Sequence, residues 1–114
     1  GMKMMSMQEC IDLCSASHRM CLETADYVLK RGGALATQAM VATLTDCAEL
    51  CQTTTNSMLR GSPLHLILCK ACADACQRCA ELCLEHRADQ QMARCAQTCI
   101  ECADGCRDMA AMDH

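Results

Sequence analysis

The sequence has almost no aromatic residues: Tyr27 stands alone, and tryptophan and phenylalanine are absent. Aromatic side chains usually dominate the burial of a protein core. Here the interior has to be built from cysteine, leucine, alanine, methionine and valine, which are smaller and softer. Thiol side chains are small, so they leave space in such a core for bound ligands.

Proline and glycine are also scarce, with one and five residues. Disulfide scaffolds are dense in cysteine but rich in loops, with many turn residues. A chain with so few of them favours helices instead. Neighbouring cysteines on one helical turn would also form a strained disulfide, although bridges between helices stay open.

Positive charge is in deficit, since the formal net charge is -4, and nucleic acid is therefore not an expected partner. The longest uncharged stretch, residues 32–45, is short and interrupted by polar side chains, so we expect no membrane-spanning helix. Gly1 before Met2 is typical of a tag remnant, and no basic segment followed by an apolar run comes after it. We expect a cytoplasmic protein with reduced thiols.

Cysteine is what the sequence has in excess, with 14 residues in a chain of 114. They recur mostly three or four residues apart, which is the spacing of one helical face. The four rows are Cys10, Cys14 and Cys21; Cys47 and Cys51; Cys69, Cys72, Cys76, Cys79 and Cys83; and Cys95, Cys99, Cys102 and Cys106. The pattern predicts four helices that bring their thiols into one core.

Turn and capping residues separate the four rows, as they do between helices. They are Gly32 and Gly33, Gly61, Ser62 and Pro63, and Asp89. The predicted helices cover about 5–30, 34–60, 63–86 and 90–112, within a single domain of residues 1–114. Because the connections are short, neighbouring helices should be antiparallel. The predicted fold class is all-α: an antiparallel four-helix bundle with a cysteine-lined core.

Continuous rows of thiols favour one kind of metal over another. Zinc prefers isolated sites of four ligands, but the rows show no grouping into fours, and each Zn(Cys)4 site buries about two excess negative charges. Cu(I) accepts thiolate and thioether ligands at low coordination numbers, and one Cu(I) for each lost thiol proton leaves the core neutral. We therefore expect all the cysteines to bind multiple Cu(I) ions. Zinc binding or buffering and thiol redox chemistry remain the alternatives.

No cysteine is set apart beside a base as a catalytic nucleophile would be, so we expect no enzyme activity. Methionine and histidine flank the thiols at both ends of the predicted core. At one end His86, Met40 and Met92 are candidate metal ligands, because His86 closes a cysteine row beside a turn. His18 lies one step off the cysteine stripe and is expected to face solvent. The opposite end should gather Met4, Met5, Met7, Met58, His65, Met109 and Met112.

Two stretches, CKACADACQRCAELC from Cys69 to Cys83 and CAQTCIECADGC from Cys95 to Cys106, resemble the bacterial copper storage proteins, and more narrowly their cytosolic branch. The similarity extends over nearly the whole chain. It implies a four-helix bundle, commonly a homotetramer, that stores many Cu(I) ions without catalytic turnover. It also implies that copper enters at an end marked by histidine or methionine, where a copper donor or acceptor protein would exchange ions.

The chain departs from that branch at five positions where fuller members have cysteine, and it lacks their His-rich turn between the third and fourth helices. The five positions are Ser17, Thr24, Val28, Met40 and Met92. All but Ser17 lie toward His86. We therefore expect fewer bound ions than in fuller relatives, and a competing entrance at the methionine-rich end.

Overall fold

The computed structural model describes residues 5–111. The order of elements is α1 (Met7–Arg31), a 3-10 turn (Gly33–Leu35), α2 (Gln38–Leu59), α3 (His65–Leu84) and α4 (Gln90–Ala111). Helices α1 and α3 each pack against α2 and α4, so the four helices stand at the corners of a square. Residues 5–111 contain no strand, and the predicted all-α class is confirmed.

Sulfur contacts between helices show how the helices run. Cys14 Sγ lies 3.5 Å from Cys106 Sγ, and Cys21 Sγ lies 3.6 Å from Cys99 Sγ. Rising residue numbers in α1 therefore meet falling numbers in α4. Helices α2 and α3 show the same reversal. The predicted antiparallel four-helix bundle is confirmed.

Local sequence signals set the ends of α1 and α2. Ser6 and Glu9 form a capping box at the start of α1, which satisfies two otherwise unpaired backbone N–H groups. At the end of α2, Gly61 has a φ of 62°, a conformation that costs glycine little. There the N–H of Ser62 donates to the carbonyl of Ser57 at 3.0 Å. This bond closes the helix in a Schellman motif.

Three helices begin later than the sequence predicts, and the first of them, α1, begins at Met7 rather than at about residue 5. Residues 33–35 form the 3-10 turn, and Thr37 caps α2 through its side chain. Helix α3 begins at His65 rather than at Pro63, because Ser62 Oγ accepts a hydrogen bond from Leu64 N at 3.1 Å and holds a turn there. Asp89 does cap α4, since its Oδ1 accepts from the backbone of the second and third helical residues.

The core lies along the bundle axis and is lined with sulfur. Every one of the 14 cysteine side chains is at most 1% exposed. Small alanines pack between the helices, and Leu44, Val28, Met40, Met92 and Met109 complete the interior. The thiols act as small hydrophobic groups in this packing. The predicted cysteine-lined core is confirmed. Within residues 5–111, none of the helices has an apolar segment that could cross a membrane.

Candidate metal centre

The cysteine sulfurs gather into sets in which all Sγ atoms lie within 4.8 Å of one another. Three sets have four members and one has three. The sets are Cys14, Cys72, Cys102 and Cys106; Cys51, Cys72, Cys76 and Cys102; Cys21, Cys47, Cys79 and Cys99; and Cys79, Cys83 and Cys95. These sets of four are not apparent in the cysteine rows of the sequence. Four helices facing one axis bring thiols together that are distant in sequence.

Three residues belong to two sets each: Cys72 and Cys102 are shared by two sets of four, and Cys79 joins a set of four to the set of three. The sets are thus overlapping parts of larger groups rather than separate sites. The set with Cys21 and Cys47 differs from the others because each of the four helices contributes one thiol to it.

When the sets that have a cysteine in common are joined, the thiols fall into two clusters. The His86-side cluster consists of Cys21, Cys47, Cys79, Cys83, Cys95 and Cys99. The methionine-side cluster consists of Cys14, Cys51, Cys72, Cys76, Cys102 and Cys106, extended by Cys10 and Cys69, which interact with Cys106. Together the two clusters contain all the cysteines.

Neighbouring sulfurs within these clusters lie close to van der Waals contact. The Cys14–Cys106 distance is 3.5 Å and the Cys21–Cys79 distance is 4.0 Å. A tetrahedral ion with metal–sulfur bonds of about 2.3 Å has sulfurs about 3.8 Å apart, so the spacing accommodates metal ions with small movements. At this spacing one thiolate can also bridge two Cu(I) ions.

Hydrogen bonds among the thiols shift their acidity in opposite directions. Bonds from Cys102 and Cys47, with others, hold the pKa of the Cys51 thiol below its ordinary value. Bonds to Cys21 and Cys51, together with burial, raise the pKa of the Cys47 thiol. A thiolate at a site such as Cys51 is stabilised by the S–H groups of its neighbours. Sites of this kind are the first that should lose their protons when soft cations bind.

An apolar layer closes the bundle beyond the His86-side cluster. Val28, Met40, Leu44 and Met92 are at most 1% exposed there. His86 is half-buried outside that layer and lines a shallow pocket with other residues of the turn between α3 and α4. In the part of the chain that the structure describes, every close set of three or more histidine, cysteine or carboxylate groups consists of cysteines alone. His86 therefore stands apart from the thiol clusters.

The opposite end of the bundle is rich in thioethers. Met58 and Met109 are buried, and Met5, Met7 and His65 are half-buried. Met5 directly precedes Ser6, which caps α1. The Sδ atom of Met5 lies 2.8 Å from the position that a Cβ on Gly105 would occupy. Met4 and Met112, predicted at the same end, lie outside the described residues. The methionines that the structure describes thus lie at the same end of the bundle as Cys10, Cys69 and Cys106 and pack against the core.

Over residues 3–111 the chain matches the family of copper storage proteins, Csp. It belongs to the copper storage protein family. The resemblance read from the cysteine rows is confirmed.

Solved structures of similar proteins share the fold along almost the whole chain. A protein of Nitrosospira multiformis is 39% identical with a TM-score of 0.88, and the match covers 94% of this chain and 96% of that one. The Cu(I)-bound copper storage protein BsCsp3 is 28% identical with a TM-score of 0.87, with 91% and 97% covered. The apo form of copper storage protein 3 from Bacillus subtilis is 29% identical with a TM-score of 0.85, with 93% and 100% covered.

The match to one curated relative covers only part of each chain. The uncharacterized cysteine-rich protein YhjQ of Bacillus subtilis is 39% identical over 66 residues, which are 58% of this chain. The match spans 60% of that relative's length. The copper storage protein family is therefore identified by the match over residues 3–111 and by the structures, rather than by this relative.

Two polar residues, His18 and Ser17, have surroundings in the folded protein that could not be predicted from the sequence. His18 is half-buried rather than solvent-facing, because its Nδ1 lies 2.8 Å from the carbonyl oxygen of Ala48 in α2. Ser17 is fully buried among sulfurs of all three other helices. Its place on the cysteine stripe predicted burial, but only the packed bundle shows which thiols surround it.

Proposed function

We propose that this protein binds and stores multiple Cu(I) ions through its core thiolates, for copper homeostasis or detoxification. One observation carries this function: 14 free thiols fill one continuous buried core in a member of the copper storage protein family. Soft sulfur donors without water access suit Cu(I) better than any hard cation. Storage rather than signalling follows from the number of equivalent ligands.

All the cysteines serve as ligands in this proposal. Most of them lie in the close sets, and Cys10 and Cys69 extend the methionine-side cluster. Met40 and Met92 add thioether ligands at the closed end, and His86 takes part where ions pass between solvent and core. Their positions support these roles, because both methionines lie in the layer between the Cys83 region and the His86 turn.

Charge favours Cu(I) over a divalent ion in this core. Each Cu(I) that replaces a thiol proton leaves the total charge unchanged, so many ions can be added without accumulating buried charge. A site of four thiolates around Zn2+ has two excess negative charges. No lysine or arginine is among the buried residues to compensate them within the described part of the chain.

The decisive experiment is an anaerobic Cu(I) titration of the fully reduced protein against a competing Cu(I) chelator. Tight uptake of about ten or more ions per chain is expected, because bridging thiolates allow about one ion per thiol. Saturation at zero to four ions would reject storage.

The sets of four thiols give zinc binding some support as a second candidate. Because two sets share Cys72 and Cys102, only two disjoint sets of four exist among those found. A zinc-buffering protein should therefore saturate at about two Zn2+ per chain with tetrahedral thiolate sites. Division of the 14 cysteines into sets of four would instead suggest about three. Equilibrium dialysis against Zn2+ in the absence of copper measures this number. A third candidate, thiol redox function, predicts disulfides, which a free-thiol count under non-reducing conditions would detect.

We also infer the cellular setting. The protein is a single-domain store without catalytic turnover, kept in the cytoplasm, where thiols stay reduced. It assembles as a homo-oligomer, a tetramer by analogy with its family, and exchanges copper with a donor or acceptor protein. Binding of Cu(I) by these cysteines requires thiols that stay reduced, which supports the choice of compartment. Sedimentation velocity of the copper-free and copper-loaded protein tests the oligomeric state.

A further inference from the structure

Ser17 lies in the middle of the thiol core, and its Oγ atom has four cysteine Sγ atoms within 4.0 Å. The Cys51 thiol donates a hydrogen bond to Ser17 Oγ at 3.3 Å, and Cys76 and Cys99 lie 3.8 Å from the same oxygen. Cys21, one turn along α1, is 4.0 Å away. Ser17 is 0% exposed, and all four of these partners are cysteines. One hydroxyl thus occupies a position where the surrounding side chains are thiols.

The two clusters meet at this position. Cys51 and Cys76 belong to the methionine-side cluster, whereas Cys21 and Cys99 belong to the His86-side cluster. No close set of three or more thiols found among residues 5–111 contains members of both. Between α2 and α3, Cys47 of the His86-side cluster lies 3.7 Å from Cys76 and also interacts with Cys51. On α1 the row of thiols is interrupted at Ser17, so the links found between the two clusters within residues 5–111 run through Cys47.

We propose that the core stores copper in two separate Cu(I)–thiolate clusters, of eight and six thiols, divided by the Ser17 hydroxyl. This inference rests on the proposed function. A neutral hydroxyl is a hard and weakly acidic group, so it does not replace a thiolate as a ligand for the soft Cu(I) ion. Ions that bridge several sulfurs form on either side of Ser17 but do not continue through it.

Protons and charge balance on both sides of the division. Each Cu(I) that enters forms bonds to sulfur and displaces one thiol proton to solvent. Ser17 keeps its proton and, once Cys51 or another neighbour is a thiolate, donates a hydrogen bond to that sulfur. Such a charge-assisted bond stabilises the thiolates that face the division. Ser17 therefore ends each cluster without leaving an unpaired charge.

Two clusters that fill independently produce a partly loaded form of the protein. We would titrate the reduced protein with Cu(I) and record the distribution of bound ions by native mass spectrometry. Each cluster should fill cooperatively, since its ions share bridging thiolates. At intermediate copper, a preferred species with about six or about eight ions is expected, on the basis of about one ion per thiol. A distribution with no preferred intermediate, at a capacity of ten or more, would overturn the division but leave storage intact.

Variants at one position on α1 test whether Ser17 is the divider. Ser17→Cys supplies the missing thiol, so the preferred intermediate should be lost and capacity should rise by about one or two ions. Ser17→Ala removes the hydroxyl without adding a ligand, so the intermediate should persist. Circular dichroism of both variants without copper checks that the bundle is folded.

Thr24→Cys is the matched control, because Thr24 is equally buried on the same face of α1 but lies beyond the division. It should raise capacity and keep the preferred intermediate. The same loss of the intermediate in Thr24→Cys and Ser17→Cys would show that any added thiol has this effect and would refute the role of Ser17. Uptake of zero to four ions by the unmodified protein would instead reject the proposed function itself.

Discussion

At the scale of single residues, Cys79 is the thiol whose loss should be most visible within the His86-side cluster. It belongs to both close sets of that cluster. We expect Cys79→Ala to lower the Cu(I) stoichiometry by about one or two ions, since its thiolate can bridge two ions. Chelator competition with the reduced protein measures this change.

The matched control for Cys79→Ala is Leu44→Ala, which removes a fully buried side chain that carries no sulfur. The resulting cavity should lower the free energy of unfolding by about 2–5 kcal/mol without changing the number of bound ions. An unchanged stoichiometry in Cys79→Ala would contradict the assignment of the central thiols to the store. A reduced stoichiometry in Leu44→Ala would show that packing alone controls binding.

At the scale of the helices, Asp89 joins α1 to α4. It caps α4, and the Tyr27 hydroxyl of α1 donates to its Oδ2 at 2.6 Å, which lowers the pKa of the carboxyl below its ordinary 3.8. Stability from this charge is thus present above that ordinary value and is lost as pH falls through the lowered pKa. We expect Asp89→Ala to cost about 1 kcal/mol of unfolding free energy at neutral pH.

Urea unfolding at several pH values tests Asp89 against Gln90→Ala, a change at the next, exposed position. The difference between Asp89→Ala and the unmodified protein should shrink in strong acid. A difference that stays constant down to the lowest pH would mean that the ionised carboxylate is not the stabilising group.

Gly105 shows a close approach between helices. A Cβ at this position would lie 2.8 Å from Leu13 Cδ1 and 2.8 Å from Met5 Sδ. Alanine normally stabilises a helix relative to glycine by about 0.5–1 kcal/mol. Both neighbouring atoms are ends of flexible side chains that must shift to make room, so we expect Gly105→Ala to increase the free energy of unfolding by less than this amount, measured by urea unfolding. In a Leu13→Ala background, where one of the two contacts is removed, the gain from Gly105→Ala should be larger, and an equal effect there would point to another cause.

Helix faces were easier to predict than helix starts or contacts. The cysteine spacing identified the inward face correctly because burial repeats with the helical turn. The start of α2 was missed because Ala34 and Leu35 favour helix, whereas Thr37 provides the side-chain cap. The grouping of thiols into fours could not be read from the sequence, because it depends on the rotation and axial shift of each helix against its neighbours.

At the scale of the whole molecule, the stoichiometry of protons distinguishes the metals. Loading a thiol core with Cu(I) should release about one proton per ion, because thiols lose their protons to become ligands. Tetrahedral zinc sites would release up to about four per ion. Proton release into a weakly buffered solution, followed with an indicator dye, measures the ratio. A value well above one during Cu(I) addition would contradict the charge-neutral store.

The bundle should also remain folded without metal. Its helices pack through a core in which the thiols are already buried as small hydrophobic groups. We expect the chelator-treated, reduced protein to keep its helical circular dichroism spectrum, unlike small domains that unfold without their ion. Loss of helicity on chelation would show that copper holds the helices together.

Complete burial of the thiols has a consequence for the speed of exchange. A sulfur with no exposed surface meets neither a donor protein nor a chelator while the bundle is closed. Transfer then waits for a local opening at one end of the helices, an event whose rate depends on packing rather than on thiol chemistry. The residence time of copper in this protein should therefore depend on how tightly the apolar side chains pack at the two ends of the bundle. These are Val28, Met40, Leu44 and Met92 at one end and Met58 and Met109 at the other.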